Sequence, residues 1–234
     1  MSAIDIAHYR RSAPFFGALA LLAIPAFWPT YLALRPQEAD WHVHVHGAAL
    51  ALWSVMLIVQ PWLVLRGKVR VHRKVGKASY FIAPVIVVST ILLAHYRLYQ
   101  STPTFDQIYF LWVQLALLSV FAIAYVQAIR WRHSGGIHAR YMICTALTMI
   151  DPIVARLIYN HTGVDIPWLQ IATYLLIDAI LLALWLRDRR LGNRVRVFPA
   201  MLALFIALEL PTFFLPQTGA WQSFGQWFGA LPLP

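Results

Sequence analysis

The sequence predicts an all-α polytopic membrane protein: one domain over residues 1–234, built as a bundle of seven transmembrane helices. Three observations predict it. The chain is 60% hydrophobic and 12% charged, whereas a soluble domain carries about 25% charged residues. Several apolar runs reach the roughly 20 residues that cross a bilayer as helix. Lysine and arginine gather in blocks between alternate runs, the pattern that sets topology.

The elements follow in order. Residues 1–12 are polar and end in Arg10-Arg11. The apolar run after them lacks a small-residue cleavage site, so it reads as a retained first span over 13–34 rather than a signal peptide. Span two covers 43–65 and opens on the stretch W-H-V-H-V-H-G at 41–47. The remaining spans are expected at 78–97, 108–129, 139–159, 167–186 and 197–215. Connections are short, so neighbouring helices should pack antiparallel. No internal repeat or linker stands out.

The N-terminus, the loops after spans two, four and six, and the start of span five hold 16 of the 19 Lys and Arg residues. Only Arg35, Arg97 and Arg156 fall elsewhere. This asymmetry predicts a cytoplasmic N-terminus and an external C-terminus in a bacterial cytoplasmic (inner) membrane. The net charge of +10 is therefore topological, with some attraction for anionic lipid head groups. Nucleic acid is excluded as a partner, because no soluble module interleaves aromatic with basic residues. The bilayer is the first partner, and a membrane-protein partner or homo-oligomer is compatible with the sequence. The tail, 216–234, carries no formal charge and contains Trp221, Phe224, Trp227 and Phe228. Such a tail should lie along the outer surface, as a short helix or as a docking site. The lone cysteine, Cys144, reads as buried packing.

Ionisable side chains at membrane depth are costly and usually face the bundle or a wet cavity. Here they are Asp151, Arg156, Asp178 and Glu209. At 1.5 Å rise per residue, Asp151 and Glu209 each lie about 20 Å from the inner end of their spans, in the outer third of the bilayer. Arg156 lies near the outer rim and Asp178 near the centre. His46 and His95 fall near the outer ends of spans two and three, with His161 in the outer loop Y-N-H-T-G. Together they predict a polar cavity that opens outwards. The structural alternative is an Asp151–Arg156 ion pair about a bend at Pro152, with Glu209 bonded to a carbonyl freed at Pro211.

His42 and His46 are four apart, the spacing with which a helix holds one metal. With His95 and Glu209, or Asp151, they would form a His/carboxylate shell suited to Zn²⁺ or Fe²⁺. The structural alternative is a hydrated histidine cluster at the interface. Histidines at both faces also allow a haem b reading, with His46 and His95 outside and His72 and His138 inside. No nucleophile elbow, phosphate-binding loop, paired-cysteine motif or H-E-x-x-H segment is present. The expected function is thus binding of a metal ion or haem in an outward-facing cavity, for redox chemistry or cofactor handling. A proton-coupled small-solute transporter using Asp151, Asp178 and Glu209 is the first alternative. A metal-dependent membrane hydrolase and a structural subunit of a membrane complex are the others.

A set of motifs carries a resemblance. His46 is followed by an apolar run to Gln60-Pro61, then by H-R-K-V-G-K at 72–77 and H-A-R-Y-M at 138–142, with Arg156 later in the same span. In this the chain resembles a family of uncharacterised bacterial multi-span integral membrane proteins, a domain of unknown function. Its members carry an H-R-x-x-G loop and an H-x-x-x-M segment. The resemblance covers about residues 40–160 and departs in His42, His44 and the last two spans. It implies a helical bundle in which His46, His72, His138 and Arg156 matter, and no established activity.

Overall fold

A computed structural model of the chain describes residues 12–99 and 102–234; Arg10 and Arg11 lie outside them. Ten α-helices follow one another among the described residues: α1 (Ala13–Phe27), α2 (Trp41–Leu65), α3 (Val69–Gly76), α4 (Ser79–Tyr99), α5 (Phe105–Arg130), α6 (Gly135–Leu147), α7 (Ile150–Thr162), α8 (Ile166–Arg190), α9 (Val197–Glu209) and α10 (Gly219–Gly229). They contain no strand. Seven helical stretches are long and apolar enough to cross a bilayer. Large apolar side chains also face outwards: Phe15 is 77% exposed and Phe81 75%. Lipid, not water, suits such a surface. The chain is a multi-pass membrane protein with an all-α, seven-helix bundle.

Local chemistry sets the helix starts. Asp40 caps α2 by accepting the His42 main-chain N–H at 2.9 Å. Thr104 and Gln107 close a reciprocal capping box on α5. Such caps satisfy donors that a helix start leaves orphaned.

Three elements differ from the sequence expectation. The segment before span three is not a plain loop but the short amphipathic helix α3. Span five is two helices, α6 and α7, separated by Thr148 and Met149. The cause is Pro152, which brings no N–H to the carbonyl of residue 148 and whose ring crowds it. Met149 N–H bonds to Ala146 O in a tight turn, and the Thr145 and Thr148 hydroxyls donate to Met142 O and Thr145 O. Span seven likewise ends its α-helix at Glu209 and continues as 3₁₀ turns, Leu210–Phe213 and Leu215–Gln217. Pro211 and Pro216 stop it from continuing as α-helix.

Three apolar clusters form the core; the smallest, Ala94, Leu98, Ile108, Leu111 and Phe228, lies where α10 meets α4 and α5, and the other two are larger. One joins Val120, Cys144, Ile177, Leu181, Phe198 and Phe205 from α5, α6, α8 and α9. The other centres on Trp53, with Ile86, Phe121 and Ile153 from α4, α5 and α7. Cys144 is wholly buried, as expected. Arg140, read from sequence only as part of the basic block, is also wholly buried. Its Nε donates to Asp188 Oδ2 at 2.7 Å and Nη2 to Oδ1 at 2.9 Å, while Nη1 donates to Gly136 O. This bidentate pair ties α6 to α8 near the basic end.

The tail packs on the bundle instead of merely lining its surface. Helix α10 lies against α4 and α5. An added Cβ at Gly225 would stand 2.9 Å from Ile108 Cγ1, and one at Gly229 would stand 3.1 Å from Leu98 Cβ. These glycines, four apart, permit the close approach. Trp221 Nε1 donates to Ile108 O at 3.1 Å.

Candidate functional site

The outer histidines find separate partners. His42 is 4% exposed and stacks between Trp41 and Tyr96. Its Nδ1 bonds the Asp40 carboxylate and its Nε2 donates to Pro234 O at 2.8 Å. Both nitrogens thus face oxygen acceptors. His95 Nε2 donates to Leu231 O at 2.8 Å, its ring against Tyr99 and Phe228. His46 sits lower, with Nδ1 near Ser89 Oγ (3.2 Å) and Thr90 Oγ1 (3.4 Å). Arg97 and Arg156 are the charged groups close enough to act on it electrostatically. His44 meets the Tyr31 hydroxyl, and His161 turns back to Leu157 O. Among the described residues, no three His, Cys, Asp or Glu side chains gather closely enough to hold a metal ion. The tail's main chain takes Nε2 of His42 and of His95, two of the nitrogens that the metal expectation would use.

The carboxylates are different. Asp151 is 5% exposed, in the first turn of α7. Its Oδ1 accepts from Gln170 Nε2 at 2.5 Å and Thr173 Oγ1 at 2.6 Å, both on α8. Glu209 is 6% exposed, at the end of α9, and its Oε1 meets no donor. Asp178 Oδ1 and the Tyr109 hydroxyl are likewise buried without a partner. Glu209 lies close enough to Asp178 and Asp151 to feel their charge when they are ionised, and Tyr174 lies close to Asp151 and Glu209. The ion pairs among the described residues are Arg35–Glu38, Arg140–Asp188 and the His42–Asp40 contact, and none uses Asp151, Asp178 or Glu209. The Asp151–Arg156 pair weighed from sequence does not form. Asp151 turns to α8, while Arg156 donates to Pro152 O and lies over the Phe27 ring.

A cleft of about 360 Å³ opens above these groups, at the end opposite the basic loops. Asp106, Tyr109, Asp165, Thr212 and Gln217 are among its lining residues. Thr212 leads inwards: its Oγ1 accepts from Trp112 Nε1 at 3.1 Å and shares a 2.9 Å hydrogen bond with the Tyr174 hydroxyl. A chain of polar groups therefore runs from the cleft towards the carboxylates.

Sequence reasoning found the carboxylates but missed their setting. Gln170, Thr173, Tyr174 and Asp178 recur at positions i, i+3, i+4 and i+8 of α8, one stripe of an otherwise apolar helix. That periodicity was the available signal. Tyr109 and Thr212 carried none, since isolated hydroxyls in apolar spans are common.

The inner group comes together at the basic end. With its amide nitrogen turned to the acceptors, Gln60 donates to His72 O at 3.1 Å and His72 Nδ1 at 2.5 Å, and accepts from Gly76 N–H at 3.1 Å. The His72 and His138 rings stand 6.3 Å apart and nearly perpendicular. His138 Nδ1 donates to Ala128 O at 2.9 Å. These partners assign opposite tautomers: Nε2 of His72 bears a proton, and Nε2 of His138 has a lone pair. Of the motif residues of the resemblance, Gln60, His72, Gly76 and His138 thus meet here, whereas His46 and Arg156 lie towards the other end.

A scan against protein-family models, a search of curated proteins and a search of solved structures found no match. The site's own geometry therefore carries the functional argument.

Proposed function

We propose that the protein is a proton-coupled carrier of a small solute, with Asp151, Asp178 and Glu209 as its proton-handling groups. One observation carries this reading. Two interrupted spans bring together Asp151, bonded to the polar stripe of α8, and Glu209, close enough to Asp151 and Asp178 to feel their charge; both are buried, neither is in an ion pair, and an open cleft lies above them. Discontinuous helices of this kind build substrate and ion sites in transporters, because irregular backbone at membrane depth belongs beside a cavity.

Magnitude favours protons over fixed charge. Each ionised side chain at mid-membrane costs about 2.5–3.5 kcal/mol on insertion scales. Three carboxylates in no ion pair would repel one another as well, with Arg156 offsetting the charge of Asp151 only from a distance. Binding a proton, or exchanging it for a cationic solute, removes that cost. Asp106 and Asp165 at the cleft favour solutes that carry positive charge. Tyr109, Thr212 and Tyr174 supply hydroxyls along the way. The basic block supports an orientation with the N-terminus in the cytoplasm of a bacterial inner membrane and the cleft facing out.

The test uses proteoliposomes holding a pH-sensitive dye. Small amines, carboxylic acids and neutral sugars are added in turn. Proton movement elicited by amines, and lost in Asp151→Asn, supports the proposal. No solute-dependent proton movement across the panel overturns it.

A second reading, binding of haem b or of a bare zinc or iron ion, is favoured by one feature, the facing His72 and His138 rings. His138 Nε2 is already set to ligate, whereas His72 would have to exchange tautomers at Gln60. A visible spectrum and elemental analysis of protein in mild detergent test it. A Soret band or stoichiometric metal that disappears in His138→Ala supports it, and absence of both in wild type removes it.

A further inference from the structure

The last turn of α8 and the turn that joins it to α9 hold Arg187, Arg189, Arg190, Arg194 and Arg196. Its one carboxylate, Asp188, is buried and bonded to Arg140 through both oxygens. The five arginines are exposed, and none is in an ion pair among the described residues. The turn between the helices is built rather than loose. Gly192 takes φ +75°, which glycine adopts without strain. Asn193 N–H then donates to Asp188 O at 2.9 Å, which fixes the return of the chain to the very residue that anchors Arg140.

This turn encloses a cleft of about 660 Å³, lined by Trp185, Arg189, Asn193, Arg194, Arg196 and Pro199 among others. It has two chemically distinct sides. Arg189, Arg194 and Arg196 present guanidinium forks, whose geometry matches phosphate oxygens. Trp185 and Pro199 present apolar surface at the end of the spans, where an acyl chain begins and tryptophan is favoured. The first turn of α9 has no side-chain cap and adds its positive dipole end on the same side.

We propose that this cleft binds the phosphodiester head group of an anionic phospholipid. A free phosphate shares the anionic chemistry but would leave the apolar side uncovered. Basic pockets between transmembrane helices at the cytoplasmic side take such head groups. The site is separate from the carboxylate cleft, which lies at the other end of the bundle.

The experiment is native mass spectrometry of the full chain in mild detergent, titrated with phosphatidylglycerol, phosphatidylcholine or inorganic phosphate. Wild type should retain phosphatidylglycerol in preference to phosphatidylcholine. The triple variant Arg189→Gln, Arg194→Gln, Arg196→Gln should weaken it by about tenfold or more, the size expected when charge-assisted contacts are lost. Arg194→Gln alone, in an exposed turn, serves if the triple variant fails to fold, and should weaken it measurably. A control, Arg187→Gln with Arg190→Gln, changes arginines outside the cleft and should leave binding unchanged. Equal loss in that control would overturn the proposal, since it would mean diffuse surface attraction. Equal retention of phosphatidylcholine would overturn it too. Inorganic phosphate that displaces phosphatidylglycerol at equal concentration would overturn the lipid as ligand.

Discussion

At the scale of single residues, Glu209 and Asp40 show how burial changes what a carboxylate does. Glu209 lies at a helix end with one oxygen facing no donor. Glu209→Gln keeps its shape but cannot exchange a proton. Solute-driven proton movement in proteoliposomes should fall by about a hundredfold, the lower end of what a positioned proton-transfer group contributes. The melting temperature should stay close to wild type. Asp40 lies outside the spans. The His42 main-chain N–H, followed by the His42 ring, holds its carboxyl below the ordinary carboxylate range. With the folded value depressed, its contribution is complete above the unfolded value and fades as pH falls through the folded one. Protection of the His42 amide, its exchange measured against the intrinsic rate at each pH, should therefore fall over that acid range in wild type. Asp40→Ala should show the lower protection at every pH. Arg140→Ala removes the bidentate partner of the buried Asp188 carboxylate, so it should cost about 3–5 kcal/mol of stability, measured by thermal unfolding in detergent.

At the scale of elements, α10 acts as a strap over the end of the bundle opposite the basic loops. Gly225→Val would drive side-chain atoms into Ile108. It should undock the tail, which ordinary protease digestion would report as faster cleavage beyond residue 218. His42 and His95 would then lose their carbonyl partners. This strap explains why the histidines were legible in the sequence only as a cluster. The contacts that occupy them, to Pro234 and Leu231, lie 192 and 136 residues away. The spans were legible because length and hydropathy suffice for them. Their interruptions were half legible: Pro152 and Pro211 marked the bends, yet nothing local showed that both bends face α8. Gln60, His72 and His138 were legible as ordered motifs, but the 6.3 Å approach of the two rings belongs to the packing of α3 on α2 and of α6 on α5.

At the scale of the whole molecule, the bundle is polarised. Its basic end carries the arginine-lined cleft and the paired imidazoles, and its far end carries Asp106, Asp165 and the tail. Between them, unpaired carboxylates sit where spans five and seven break. On the proposed function, these carboxyls hold an exchangeable proton inside the membrane. The direct measurement is infrared difference spectroscopy of the protein in proteoliposomes, neutral minus alkaline, for wild type and Glu209→Gln. Wild type should show a protonated-carboxyl C=O band that shifts on exchange into deuterated water and is diminished in the variant. A wild-type spectrum with no such band, or a band unchanged in Glu209→Gln, would contradict it.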